Sequence, residues 1–498
     1  MSTLSTGELA AIVGGRLRLG SMPPLGGDLE PIGRLSVDSR TVAPGEVFWG
    51  LSAQADPANL PEEAFARGAK GVVVEGRRVT PWPGTFSVEV DDAKWALWQV
   101  ARTMRSRFEG RVIAILGDLG KTMTRAMIET VLGETFHGTS GDDAARHDDP
   151  LRVGLPLLLS ELNDDEHDFA VVELHGRHPG LIAQLQLCRP DILVLTPTAQ
   201  ADANHRGACR ELLAALPHDC LVVVNDDSLW RHAAGESNHT NLMWVGRGAE
   251  CDLAADRVRL VGGQLQLSLD GLPVRVPVWG RHHLPSVLAA FAVARLMGLS
   301  TQQTATALAQ FAPPAGRCSV ADCGGVTVID DTCCASAAAA RAVIHALRDA
   351  ARTGRRLLVL GELPGDDSKE TYRLLGAGAV GQCGADGMIA CGAHADDAVD
   401  AARQAGMPTA AAIACRQADD VAAVVAQSAR PGDTVLLVGD PGVPADRITR
   451  ELEADTKQAA SESTSPANSG SPVRSFEVPP LASALREAGA ALPPGLEH

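Results

Sequence analysis

Gly117-Asp-Leu-Gly120-Lys121-Thr122 brings together the groups that hold a polyphosphate. Glycines let backbone N–H groups approach phosphate oxygens. A helix opening at this point adds partial positive charge, Lys121 adds a full one, and the Thr122 hydroxyl is a ligand for Mg²⁺. A glycine turn between a core strand and a helix has the same outline, and Ile115 stands where a general P-loop has its first glycine. Lys-Thr directly after the second glycine favours nucleotide binding over the plain turn.

The flanking pattern supplies the elements such a turn needs. Arg111-Val-Ile-Ala-Ile-Leu116 is apolar and β-branched, as a buried strand requires, and Met123, Met127 and Val131 recur every four residues with Ile128 and Leu132 beside them. Further on, Phe169-Ala-Val-Val-Glu-Leu174 reads as a buried strand ending in a carboxylate, and Asp191–Thr196 and Cys220–Asn225 read as two more. Short apolar strands alternating with helices imply an α/β fold with a doubly wound, mostly parallel sheet. Val258–Val278 alternates and looks antiparallel, and Gly280-Arg-His-His-Leu opens an Ala-rich helix through Met297.

At 498 residues the chain has room for about three domains of ~150 residues each. Residues 1–108 form a small α/β domain: a capped helix from Thr6, a strand, a Pro-Gly turn and a second strand over Ser36–Leu51, a helix over Glu62–Arg67, a strand at Gly71–Glu75 and a helix over Ala93–Phe108. Residues 109–313 form the central domain, with Gly138–Pro150 expected as an exposed loop. Residues 314–454 form a Rossmann-like domain with strands at Val326–Asp330, Arg356–Leu360, Gly387–Ala390 and Thr434–Val438. From Lys457 the composition turns to Ser, Ala, Pro, Asn and Gly, so residues 455–498 are expected to be a disordered tail; Pro479–Ala490 is a candidate docking segment.

A net charge of -17 argues against a nucleic-acid partner and suits a cytoplasmic protein. With one Tyr, nine Phe and seven Trp, the cores must be built from Ala, Val and Leu. The eleven Cys include no C-x-x-C pair, so reduced, buried thiols are expected. The N-terminus lacks the pattern of a signal peptide, and no run of 18 apolar residues predicts a membrane span.

In this order the segments resemble the Mur ligases, ATP-dependent enzymes that build the peptide of bacterial cell-wall precursors. Asp38-Ser-Arg-Thr-Val-Ala-Pro-Gly-Glu-Val-Phe48 is similar to the family's DSRxVxPGDLF, and the cradle to its GTNGKTTT, which also lacks the first glycine. Glu173-Leu-His-Gly-Arg-His-Pro-Gly-Leu-Ile182 looks like EMGANHPGEI, and Gly280-Arg-His-His resembles GRHN. Gly316-Arg317, Val328–Thr332 and Leu360-Gly-Glu-Leu363 resemble GR, LIDDSYNANP and LGDM.

The resemblance implies a carboxylate–amine ligase of peptidoglycan precursor synthesis, of the kind that adds D-Ala-D-Ala to a UDP-muramoyl peptide. ATP phosphorylates the substrate carboxylate, the dipeptide amine attacks the acyl phosphate, and phosphate leaves from a tetrahedral intermediate. The protein aligns reactants and neutralises charge. Residue by residue, it implies ATP at Gly117, Gly120, Lys121, Thr122, His283, Arg317 and Asp331, with Lys121, Glu173 and Arg317 in the transfer step. It implies Mg²⁺ at Thr122 and Glu173, with Asp202 and His205 as further candidates, and substrate at Asp38, Ser39, Arg40 and His178. The implied protein is a monomer. Plainer alternatives remain: Glu173 as a solvated strand end, Arg317 as a surface arginine, and Asp331 as a strand terminus.

The chain also departs from the family. Cys209 stands where the family has a lysine that is carbamylated and bridges a second metal, and a thiol cannot form a carbamate. The family histidine after TNVGPAH falls at about Asp202. The Asn of GRHN is His283, and the late KGSRG is Val438-Gly-Asp-Pro-Gly442, without its two cations. In the cradle, Asp118 and Leu119 replace a Thr-Asn pair. A relative that keeps the fold as a scaffold or regulator, and a ligase with another acceptor, are therefore the alternatives.

Overall fold

The computed structural model describes residues 4–22, 27–51, 60–142, 153–175, 180–198, 203–226, 228–236, 239, 241–334, 336–349, 354–363, 368–439 and 443–463. The chain divides into two compact units, Met1–Ala254 with Leu288–Ser300, and Ala255–Val287 with Thr301–His498.

The first unit contains two sheets. Strands β1 (Arg16–Leu19), β2 (Leu35–Ser36), β3 (Val47–Gly50), β4 (Gly71–Glu75) and β5 (Phe86–Val90) pair in the order β1-β5-β4-β3-β2, parallel except at β1. Side chains alternate faces along a strand. Val47, Trp49, Val73 and Val88 therefore meet Leu97, Val100 and Met104 of the helix Ala93–Arg107, while Phe48, Val72 and Val74 meet Ala64 and Phe65 of the helix Pro61–Ala66. The opening helix is capped by Ser5 rather than Thr6, in a reciprocal capping box with Glu8.

The second sheet of this unit follows from β6 (Arg111–Leu116), β7 (Gly138–Asp142), β8 (Phe169–Glu173), β9 (Ile192–Leu195), β10 (Leu221–Asn225) and β11 (Leu242–Gly246). All six run parallel in the order β11-β10-β9-β6-β8-β7. The chain builds one side of β6 with β7 and β8 and then crosses to the other with β9 to β11. The turn after β6 thus opens at the topological switch point, where open α/β sheets place their ligands.

Gly138–Asp142 corrects the expected loop. Gly138 passes over the Phe169 ring, where a Cβ would come within 2.3 Å of it, and a Cβ on Gly141 would meet Leu158 at 2.4 Å. Close packing selects glycine there, and glycine hides the strand. Residues 143–150 lie outside the described chain.

In the second unit, β12 (Leu253–Val261), β13 (Gln264–Leu269) and β14 (Leu272–Val276) form the antiparallel meander expected over Val258–Val278. Strands β15 (Ser319–Cys323), β16 (Val326–Asp331), β17 (Arg356–Leu360), β18 (Gly387–Cys391), β19 (Ala412–Cys415) and β20 (Thr434–Val438) pair in the order β15-β16-β20-β17-β18-β19. Only the edge strand β15 is antiparallel. Leu358, Leu360, Leu436 and Val438 pack with Val343, Tyr372 and Val399 on one face; Leu357, Val359, Val435 and Leu437 pack with Val421, Val425 and Ile448 on the other.

The sequence reading missed β15 and β19. Ser-Val-Ala-Asp-Cys is exposed at three of its five positions, and Ala-Ile-Ala-Cys is too short and alanine-rich to stand out. The closing helix Ala445–Ser463 runs past Lys457, into what composition marked as tail. Residues 464–498, including Pro479–Ala490, lie outside the described chain. Among the described residues, no helix is long and apolar enough to cross a membrane.

Candidate active site

The cradle is built as its sequence requires. Gly117 takes φ 138° where a Cβ would stand 2.3 Å from Thr196 Oγ1 and 2.6 Å from its carbonyl oxygen. Gly120, at φ 76°, begins the helix Lys121–Gly133, which no side chain caps. Only glycine enters such conformations freely. The N–H groups of Asp118 and Leu119 both donate to Pro197 O, at 3.2 and 3.1 Å, and Lys121 Nζ donates to Gly117 O at 2.7 Å. The turn's amides are thus closed on Pro197 O, and the lysine lies folded across the turn onto Gly117 O.

Glu173, at the C-terminal end of β8, is fully buried rather than a solvated strand end. Thr122 Oγ1 donates to its Oε2 at 3.1 Å, and His175 Nε2 stands 3.5 Å from the same oxygen. The other oxygen, Oε1, accepts from Arg125 Nε at 2.7 Å, and Arg125 also reaches Glu129 at 2.8 Å. Burial pulls the Arg125 guanidinium down, but Glu173 and Glu129 more than offset it, with a net rise. A hydroxyl and a carboxylate converging beside a phosphate cradle are the donors that hard Mg²⁺ takes, so the residues fit one such ion.

Sequence reasoning missed Arg125. The signal was its spacing: Thr122 and Arg125 are three apart on one helix and share a face.

The further candidates of this unit are not brought to that point by anything described. Asp202 and His178 lie outside the described residues. His205 belongs to the helix Ala203–Ala214, but its side chain lies outside them too. Cys209, on the same helix, is buried in the hydrophobic core with Leu212, Leu213 and Trp230. In the first domain, Arg40 is clamped by Asp38 through Nε at 2.9 Å and Nη2 at 2.7 Å, and buried Ser39 donates to Glu63 Oε2 at 3.0 Å. Asp38 thus presents Arg40, whose side chain is 59% exposed, to solvent.

The second unit gathers the remaining nucleotide candidates. Gly316, at φ 70°, lies so close to Cys333 that a Cβ would come within 2.6 Å of its Sγ, and Cys333 N–H donates to Gly316 O at 3.0 Å. This contact joins the Gly316-Arg317 turn to the end of β16. Asp331 is buried, and its Oδ1 accepts from Cys318 N–H at 3.1 Å. Burial pushes its carboxyl up to about 7, against the opposing pull of the Arg317 charge. His283 is buried in the 3₁₀ turn Arg281–His283.

The model of the Mur ligase middle domain matches residues 115–294, and that of the Mur ligase glutamate ligase domain matches residues 316–440, more than half of the chain together. The chain belongs to the Mur ligase family. Among relatives, the UDP-N-acetylmuramoyl-tripeptide–D-alanyl-D-alanine ligase of Synechocystis sp. is 28% identical over 440 positions, spanning 85% of this chain and 92% of its own. The ligase of the same name from Mycobacterium tuberculosis is also 28% identical, over 91% of this chain and 98% of its own. MurF from Acinetobacter baumannii shares the fold with a TM-score of 0.72 at 22% identity, covering 91% of this chain and 99% of that one. MurF ligase from Thermotoga maritima, solved in complex with ADP, gives 0.69 at 21% identity, over 86% and 98%.

Cys209, which the resemblance sets at the place of a family lysine, is packed in the core of this Mur ligase. The Val438–Gly442 segment is described only through Gly439, whose φ of 88° brings it against Glu362 O, 2.6 Å from where a Cβ would be.

Proposed function

We propose that this Mur ligase joins D-alanyl-D-alanine to a UDP-linked muramoyl peptide, using ATP and releasing ADP and phosphate. The observation that carries the reading is the approach of Thr122 Oγ1 to the buried Glu173 carboxylate, 3.1 Å apart at the head of the Lys121 helix. The names of the relatives supply the substrates.

In this reading Lys121 leaves Gly117 O to meet the phosphates of ATP. The helix N-terminus and the Asp118 and Leu119 amides, freed from Pro197 O, line the same anion. Thr122 and Glu173 hold Mg²⁺, which neutralises charge on the transferring phosphoryl group. Arg125 holds one oxygen of Glu173 and so fixes which oxygen faces Thr122. Arg317 and Asp331 are the second unit's candidates for nucleotide contact, and Arg40, held by Asp38, takes part in binding the UDP-linked substrate. The muramoyl carboxylate then attacks the γ-phosphorus, and the dipeptide amine displaces phosphate from the resulting acyl phosphate.

A second reading, a relative that keeps the fold without ligating, draws on two observations. The cradle amides are bonded to Pro197 O, and Arg125 already neutralises Glu173. One experiment separates the two: phosphate release with ATP, Mg²⁺, UDP-muramoyl tripeptide and D-Ala-D-Ala. The ligase releases phosphate only with both peptides present, and Lys121→Ala lowers the rate at least about a hundredfold. Release no greater than that of Lys121→Ala would leave the non-ligating reading.

A further inference from the structure

His282, His283 and Cys318 form a cluster in the second unit, and of the three only His283 is among the nucleotide candidates. Their ligating atoms all lie within 4.8 Å of one another, and His282 Nε2 stands 3.8 Å from Cys318 Sγ. Two donors on a tetrahedral zinc ion, with Zn–N near 2.05 Å and Zn–S near 2.3 Å, are about 3.5 Å apart, so the His282–Cys318 pair needs only a small contraction.

Three independent features mark these residues as more than a packed cluster. First, His283 is 5% exposed, and its Nε2 has no hydrogen-bond partner. An unpartnered, buried Nε2 is the atom that a metal-bound histidine offers. A buried polar atom left unpaired costs about 1–3 kcal/mol, which a metal bond would remove.

Second, Cys318 takes φ 54°, the left-handed region that side chains other than glycine rarely enter. Backbone held there marks a side chain aimed for a purpose. The strain turns the thiol towards His282 and places it 3.5 Å from Asp331 Oδ1.

Third, the donor types agree: two imidazole nitrogens and one thiol sulfur are a set that zinc takes.

We propose that His282, His283 and Cys318 bind a borderline-soft divalent transition metal, zinc, with a fourth position left to water. Binding displaces the thiol proton to solvent, so affinity rises with pH. Two imidazoles and one thiolate select zinc over Mg²⁺, which prefers oxygen. Its ligands do not include Thr122 or Glu173, and it gives His283 a role other than contact with the nucleotide.

The test uses the full-length protein, purified without added metal or affinity histidines. Zinc is measured by mass spectrometry after dialysis, and the protein is then reloaded with Co²⁺. The expected result is one equivalent of zinc per chain and, with Co²⁺, a thiolate-to-cobalt charge-transfer band. Cys318→Ser abolishes the band and His283→Ala abolishes retention of the metal. Cys333→Ser, which changes the exposed neighbouring thiol, leaves both intact. Circular dichroism of each variant separates loss of metal from loss of fold, and ATP leaves the cobalt band in place. Wild-type protein that holds no zinc and shows no band would overturn the proposal. So would a folded Cys318→Ser protein that keeps the band, or a band that ATP displaces.

Discussion

Arg125 Nε donates to Glu173 Oε1 at 2.7 Å while Thr122 Oγ1 donates to Oε2 at 3.1 Å, so the two oxygens of one buried carboxylate are divided between a structural partner and a candidate metal position. Removing one partner of a buried ion pair costs about 3–5 kcal/mol, because a charge remains without compensation. Arg125→Ala should lower stability by an amount of that order, measured by urea unfolding without metal. Millimolar Mg²⁺ should recover more of the loss in the variant than it adds to the wild type. Equal Mg²⁺ effects on the two proteins would show that the ion does not reach Glu173.

Gly117 is held in its conformation by Thr196. A Cβ there meets both a hydroxyl and a backbone oxygen, and neither can retreat without moving the end of β9. Gly117→Ala should cost about 2 kcal/mol or more and should weaken ATP binding, measured by melting with and without nucleotide. An unchanged melting temperature would mean that the turn is not held as described.

Cys209, set by the resemblance at the place of the family's carbamylated lysine, lies in the hydrophobic core with Leu212, Leu213 and Trp230. An ammonium placed there loses its hydration without a partner. Cys209→Lys should therefore destabilise the protein by about 3 kcal/mol and should not raise activity, even with added bicarbonate. A well-folded variant with higher bicarbonate-dependent phosphate release would show that the lysine reaches the site.

Glu161 carries a pH dependence unrelated to the chemistry. Burial pushes its carboxyl above the usual range, with Arg34 pulling down and Glu46 pushing up. A raised folded-state value means that the folded state holds the proton more tightly than the unfolded one. Its contribution to stability is full below the unfolded value near 4.3 and is lost as pH rises through the folded value. Glu161→Gln should flatten the fall in melting temperature above about pH 4. Parallel wild-type and variant curves would contradict this.

The strand, turn and helix of the cradle were legible because period, glycine and lysine agree locally from Arg111 to Val131. The order of motifs carried the family. Long-range packing was hidden. Gly138–Asp142 reads as a loop until the Phe169 ring is known to lie against it. Arg125 was visible as spacing, but its partner is 48 residues away. Cys209 lies in the core because of the way its helix faces, which residue type does not reveal. Cys318 and His282, 36 residues apart, meet only because the chain turns left-handed at Cys318.

The central claim is that this chain activates a muramoyl-peptide carboxylate by transferring a phosphoryl group from ATP. UDP-muramoyl tripeptide labelled with ¹⁸O in its terminal carboxylate, incubated with ATP, Mg²⁺ and D-Ala-D-Ala, tests it directly. The account predicts one ¹⁸O in the released phosphate for each pentapeptide formed, with both signals lost in Lys121→Ala. Phosphate released without label, or no pentapeptide at all, would contradict it.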